Sequence, residues 1–339
     1  MNSPAMHSPS TRRAFLKSAA LLSLAATGLP VGTATAAFAP IPRVGGSHLK
    51  TSLNAYSFLE LLNANAKDQS QGVNLFQVCD FCAKHNFDAV DLTGYFFPGY
   101  PKAPEDSYIF KLKRHAFDLG LGISGTGVRN DFTAADKAVR AEGVERIKTW
   151  IEVAAKLGAP AVRAFADSQA PFKNWQQASG NASRADVEAW LADSLRECAE
   201  HGQKFGVIVA VQNHGDFIST GAEHLSLLQR VGHEYCAALV DTGKYNTPDP
   251  YADIALMAPY AVNWQIKELI GTSGNSPRTD LKKLVTIIRQ SGYRGYLPIE
   301  TLASGRKGYD SFVEVAKMLA ELREAIAVTA SIAPQTPAK

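Results

Sequence analysis

The chain has no long apolar run, no lysine- or arginine-rich cluster, no dinucleotide-binding glycine fingerprint and only four cysteines, and each shortage removes a class of protein. Its Ala/Leu-rich stretch at residues 18–29 is shorter than the roughly 18–20 apolar residues a membrane-spanning helix needs. A formal charge of +3 without a basic stripe speaks against a nucleic-acid binder, which concentrates positive charge on one face. Cys79 and Cys82 have the spacing of a redox or metal pair, but they fall with Phe76 and Ala83 at helical spacing. That pattern predicts buried thiols acting as small hydrophobes, and a core of this size needs no disulfide framework.

What is present points to a large, mostly folded chain. With 339 residues, of which 46% are hydrophobic and 20% charged, the length suits one large α/β barrel or two ordinary domains. The first residues read as an address. Arg12 and Arg13 are followed by Ala14-Phe15-Leu16-Lys17, then the short apolar run, then small residues around Ala34-Thr35-Ala36 and Ala37-Phe38-Ala39 that offer cleavage points. This looks like a twin-arginine export signal over residues 1–39. It implies the twin-arginine translocase as a partner during export and a periplasmic location; an uncleaved amphipathic anchor is the alternative.

From there the chain alternates short apolar runs with helical periodicity. Strands are expected near residues 53–58, 88–93, 121–126, 161–166, from 207, 237–241, 262–267 and 296–301. Helices are expected at 72–85, 105–119, 134–157, 186–201, 219–231, 250–258, 280–290 and 309–326. Eight such units predict a single-domain (β/α)8 TIM barrel over residues 40–328, with a flexible tail at 329–339. The site would then lie at the carboxyl ends of the strands. Residues 167–184 form the longest connection, a candidate lid.

The fifth strand is the most informative. Val207 to Val211 is continuously apolar, as befits a strand buried on both faces, and it then turns abruptly into Gln212-Asn213-His214-Gly215. Side chains alternate along a strand. Choosing in each strand the face that turns polar near its end predicts an inward set of Asn54, Tyr56, Asp91, Thr93, Ser124, Thr126, Arg163, Gln212, His214, Asp241, Gln265, Lys267 and Glu300. So many polar groups are costly to bury without partners, and together they suggest a polar ligand, a metal ion or both.

The segments VAVQNHGDF, ALVDTGKYN, WQIKEL and LPIETL resemble the strand ends of the xylose-isomerase-like barrel family, which includes sugar isomerases, sugar epimerases and endonuclease IV. The resemblance covers residues from about 49 to 325. It implies a divalent metal held by a Glu, an Asp, a His and a Glu after the fifth to eighth strands. Those places are Gln212, Asp241, Gln265 and Glu300 here, so two match and two depart. An oxygen-rich set with neutral amides suits Mn²⁺ or Mg²⁺ better than Zn²⁺, holds either more weakly, and leaves open whether an ion is bound; His214 could stand in as a ligand.

In such isomerases and epimerases, the resemblance implies, two glutamates exchange a proton through an enediolate beside the metal. Gln212 cannot abstract a proton, so Glu300 becomes the expected acid/base, with His214 and Lys267 as catalytic partners. Tyr56, Asp91, Arg163, Asn213 and Glu268 are the expected substrate contacts. Each has a plainer reading: His214 as a loop histidine, Asp241 as a turn cap, Lys267 and Glu268 as a solvated pair, Arg163 as a structural ion pair with Asp91 or Glu300. The aromatic loop from Tyr95 to Tyr100 suits either stacking on a sugar or plugging the barrel.

Three functions follow. The first is a periplasmic isomerase- or epimerase-like enzyme acting on a carbohydrate or keto-sugar by metal-assisted proton transfer, with a keto-glycoside lyase or hydrolase as its variant. The second is a non-catalytic sugar-binding protein with a degenerate metal site. The third, a trinuclear-zinc endonuclease, needs several histidines at strand ends, and of the eight in the chain only His214 lies at one. No glycine-rich anion cradle follows the last two strands, so free or glycosidic sugars are expected in preference to sugar phosphates.

Overall fold

The structure is a computed structural model and describes residues 39–271, 276–303 and 306–335. The export-signal expectation therefore lies outside the described residues, except for Ala39. The described residues belong to one compact unit.

Eight parallel strands close into a barrel in sequence order: β1 (His48–Asn54), β2 (Ala89–Thr93), β3 (Gly122–Gly127), β4 (Ala161–Phe165), β5 (Ile208–Gln212), β6 (Cys236–Asp241), β7 (Ala261–Lys267) and β8 (Arg294–Glu300). The ring shuts where β1 pairs with β8 over six residue pairs, His48 with Arg294 through Leu53 with Ile299. Helices α1 (Leu59–Lys67), α2 (Leu75–Lys84), α3 (Asp106–Asp118), α4 (Lys137–Leu157), α5 (Trp175–Ala178), α6 (Arg184–Phe205), α7 (Gly221–Val231), α8 (Pro250–Met257), α9 (Leu281–Gln290) and α10 (Ser311–Val328) fill the connections. This is the (β/α)8 TIM barrel expected from the alternation. Among the described residues no helix is long and apolar enough to cross a membrane.

Local chemistry sets the boundaries. Asn74 and Gln77 form a reciprocal capping box at the start of α2, and Thr220 with Glu223 does the same for α7. Gly158, at φ +83°, ends α4 in a left-handed turn that a side chain would strain. Outward-facing Val90, Leu92, Val162, Val209, Val211, Val240, Trp264 and Ile266 join the main core under the helices. Inside the barrel, Ala161, Ala210 and Leu239 make a smaller apolar floor. All four cysteines are buried free thiols, and burial pushes Cys79 up to about 12, away from redox or metal chemistry.

Three boundaries differ from the sequence reading. The first strand starts five residues earlier and stops at Asn54, whose side chain accepts the Tyr56 backbone N–H and turns the chain into a short 3₁₀ helix. The short α1, two turns long, has too little apolar periodicity to stand out. At the far end, Thr329 is buried and bonded by Arg289, and the Gln335 backbone N–H donates to the Gln290 carbonyl at 2.8 Å. Hydrogen bonds thus hold the chain beyond residue 328 at Thr329 and again at Gln335, while residues 331–335 are largely exposed.

Candidate active site

The carboxyl ends of the strands enclose a cavity of about 370 Å³, within the roughly 300–1,000 Å³ typical of small-ligand sites. Asn54, Tyr56, Asp91, Thr93, Arg163, Gln212, His214, Gln265, Lys267 and Glu300 all line it. Two-residue alternation thus brings together side chains from six stretches of chain that are far apart in sequence. Ser124 lies deeper, with its hydroxyl 2.7 Å from that of Ser52. Thr126 departs: the β2–β3 register shifts beside Val90 and Asp91, and the parity of β3 changes with it. Gly127 takes the place at the mouth, and the Thr126 hydroxyl donates to the Leu92 carbonyl instead. A Cβ at Gly127 would stand 2.6 Å from Arg163 Nε, so the missing side chain is what lets Arg163 lie across β3.

Lys267 organises one side of the cavity. Its ammonium donates to Glu300 Oε1 and lies 3.4 Å from Asp241 Oδ2. Burial works against the charged lysine, but the two carboxylates outweigh it and hold its pKa above the ordinary value. Gly243 leaves room for the stem, since a Cβ there would be 2.9 Å from Lys267 Cγ. Beside this pair, the Gln212 amide donates to Asp241 Oδ2 at 2.8 Å and to Gln265 Oε1 at 2.6 Å, while its own Oε1 is buried without a partner among the described residues.

These contacts bear on whether the four expected ligands suit a divalent ion. Gln212, Asp241, Gln265 and Glu300 do converge, yet both carboxylates are engaged by an ammonium and the Gln265 oxygen by an amide. No group of three or more His, Cys, Asp or Glu side chains suited to an ion occurs among the described residues. His214 belongs to no such group either: its Nδ1 is held by Asp167, and its Nε2 stands without two further ligands of these types suitably placed. The donor set does not fit Mn²⁺ or Mg²⁺; a monovalent cation belonging to the chain stands among the two carboxylates.

His214 defines the other side. Its Nδ1 is 2.9 Å from Asp167 Oδ2, and its ring lies edge-on to Phe165. Asp167 is nearly buried, and its other oxygen accepts the Phe217 backbone N–H at 3.2 Å. Burial raises the Asp167 pKa, with the imidazole opposing that rise. The hydrogen-bond pattern assigns the proton to Nδ1, and Nε2, without a protein partner among the described residues, is left for the cavity. Sequence reasoning missed Asp167, although continuing the Arg163 alternation past the end of β4 reaches it.

Two expected substrate contacts do not reach the cavity. Asn213 is wholly buried, with its amide spent on the backbone of Asp241, accepting from its N–H at 2.8 Å and donating to its carbonyl at 2.9 Å. Glu268 points to the other face of β7 and pairs with Arg306 at 2.7 Å. Arg163 is no structural ion pair: it bonds the Tyr95 hydroxyl and lies 4.0 Å over the Phe165 ring. The aromatic loop divides its labour, with Tyr95 at the mouth and Phe97 packed edge-on against Trp150 in the core.

Asp91 sits deep in the cavity, accepting from Asn263 Nδ2 at 3.1 Å. Burial pushes its carboxyl up to about 6, against the opposing pull of Asn263 and Arg163. His224, by contrast, is a structural residue: wholly buried, bonded to Tyr245 and to the Val211 carbonyl, and held down to about 4 by burial.

An eight-stranded parallel barrel with acids, bases and amides gathered at its carboxyl end defines a class of small-molecule site shared by many enzymes. The xylose isomerase-like TIM barrel profile matches residues 79–328, and the chain belongs to that family. Among solved structures, it is similar to a D-psicose 3-epimerase determined in the presence of D-fructose, at 18% identity and TM-score 0.64, covering 84% of this chain and 99% of that one. It is also similar to a 3-keto-D-glucoside 4-epimerase from E. coli, at 15% identity and TM-score 0.61, covering 82% and 99%. A third, the IOLI protein with a binding zinc atom, shares 14% identity at TM-score 0.61 over 84% and 99%. At these identities the likeness is one of fold. Comparison with curated proteins gives no match.

Proposed function

We propose that the protein is a sugar isomerase- or epimerase-like enzyme that moves a proton at a carbon next to a carbonyl, in a carbohydrate or keto-sugar, without a resident metal. The observation that carries this reading is the pairing, in one cavity, of the Asp167-oriented His214 with the Lys267 ammonium. His214 Nε2 takes the proton, and Asp167 holds the ring in the productive tautomer and stabilises the imidazolium that forms. Negative charge then develops on the substrate carbonyl oxygen, where Lys267 supplies a fixed positive charge in a water-poor setting. Glu300 and Asp241 keep that ammonium protonated and aimed. Tyr56 and Arg163 flank the ligand.

Asp91 offers the second proton site. With its carboxyl at about 6, it carries a proton for part of the time near neutral pH, and it reaches the cavity from β2 while His214 follows β5. Return of the proton to the same carbon from the other face gives epimerisation; its return to the neighbouring carbon, with the hydroxyl proton there passing to the former carbonyl oxygen, gives isomerisation. Delivery to a departing oxygen would instead give elimination from a keto-glycoside, and the raised Asp91 is what favours keeping that second outcome. The paired arginines at residues 12 and 13 support export to the periplasm by the twin-arginine route.

Incubation of the purified mature chain with keto- and aldo-sugars in deuterated water tests the reading. Deuterium should enter a carbon beside the carbonyl, with or without chelator. Sugar binding with no exchange at any carbon would assign the barrel to ligand capture alone.

A further inference from the structure

Charge is spread unevenly around the cavity. Lys267 faces two carboxylates, Glu300 and Asp241, and Asp91 lies deep, where it acts on Arg163 without pairing with it. Three further cations line it, Arg129, Arg163 and Lys244, and none has a carboxylate within 4 Å among the described residues. The residues outside those described contain no Asp or Glu side chain that could serve. Arg129 and Arg163 are gathered on one wall. Their guanidinium carbons lie 4.6 and 5.3 Å from the same Tyr95 ring, where Arg129 donates to Gln169 Oε1 at 3.3 Å and Arg163 bonds the Tyr95 hydroxyl. Aromatic faces and a neutral amide oxygen satisfy part of each guanidinium without cancelling its charge. Lys244, half-buried, follows β6.

We infer that the substrate is an acidic sugar, with its anionic group on the wall formed by Arg129 and Arg163 and its carbonyl end toward Lys267. This rests on the proposed enzymatic reading and narrows it. It also adds an anionic group to the free or glycosidic sugars that the sequence suggests, because Arg129 and Lys244 lie on loops whose convergence strand alternation cannot show. Planar guanidinium groups suit carboxylate and phosphate alike, so the shared chemistry is an anionic group on a sugar-sized ligand. An anionic group on these two arginines gains charge-assisted hydrogen bonds, whereas a neutral sugar offers them only uncharged hydroxyls.

The test is calorimetric titration of the mature chain at low and at physiological ionic strength with three panels: hexuronates, hexose 6-phosphates and the matching neutral hexoses. At least one acidic member should bind about tenfold or more tighter than its neutral counterpart, the difference should shrink with added salt, and Arg129→Ala should remove most of it. Preference for the uronate or for the phosphate identifies which anion the wall holds. Equal affinity for the neutral hexoses, no binding by any acidic member, or an unchanged preference in Arg129→Ala overturns the inference. Deuterium exchange on the same samples separates the two claims: exchange with neutral sugars alone sinks the acidic-substrate inference, and tight acidic binding without exchange sinks the enzymatic one.

Discussion

Replacing Lys267 by Met keeps most of the stem but deletes the one positive charge shared by Asp241 and Glu300. Both carboxylates are nearly or wholly buried, so they would face each other across a pocket of low polarity with only amides for company. Removing one partner of a buried ionic group costs about 3–5 kcal/mol, which for a chain of this size corresponds to a fall in Tm of about 6–15 °C. The loss should shrink as the pH is lowered, because protonating one carboxylate relieves the repulsion, and Lys267→Met combined with Glu300→Gln should recover much of it. The same change should slow deuterium exchange by about 10²–10³-fold, the scale of a lost oxyanion-stabilising group. Mn²⁺ sharpens the test. It should leave the wild-type Tm unchanged, since the site already holds its cation, and should raise that of Lys267→Met. Calorimetric scans at pH 5 and 8, with Mn²⁺ and with chelator, measure all of this. A wild type that takes up one equivalent of Mn²⁺ and gains stability from it would refute the assignment of the ammonium as the resident cation.

Asp167→Asn should preserve the geometry around His214 but favour the wrong tautomer, lowering the exchange rate by about 10²–10⁴-fold while sugar affinity in calorimetry stays within a few-fold; an equal loss of both would make Asp167 a packing residue. Burial holds the Asp91 carboxyl at about 6, above the roughly 3.9 of an unfolded chain. Its folded form therefore keeps the proton more tightly, and the associated stability is complete below about pH 4 and lost as the pH rises to about 6. Asp91→Asn should consequently gain about 2–3 kcal/mol over wild type at pH 8 and little at pH 4 in urea unfolding; a constant difference at both would contradict the buried-acid account. Gly127→Ala pushes a methyl to within 2.6 Å of Arg163. It should cost about 1–3 kcal/mol and raise KM with little change in kcat, both measurable on one preparation.

Much of this site could be read from strand alternation because a closed barrel points every second side chain at a common axis. Gln212, His214, Gln265, Lys267 and Glu300 follow that rule and meet as it requires. It fails where the backbone stops being a regular strand. The irregular pairing of β2 with β3 exchanges Thr126 for Gly127, Asn213 turns its amide into the neighbouring strand, and Glu268 belongs to the opposite face. Arg129, Asp167 and Lys244 lie beyond strand ends, where direction depends on loop packing rather than on periodicity. The metal expectation was limited in a different way. Counting ligand positions finds Gln212, Asp241, Gln265 and Glu300, but only the structure shows the Lys267 ammonium beside Asp241 and Glu300.

The amide of Asn213 does for the rim what a peptide group does within the sheet. By accepting from and donating to the backbone of one residue, Asp241, it prolongs the ladder between β5 and β6 by a rung made of side-chain atoms. His214 is the very next residue, and Asp241 is the one that steers Lys267. The proton acceptor and the charged pair are therefore fastened to a common frame, so their spacing is set by the barrel itself and not by the loops that cover it.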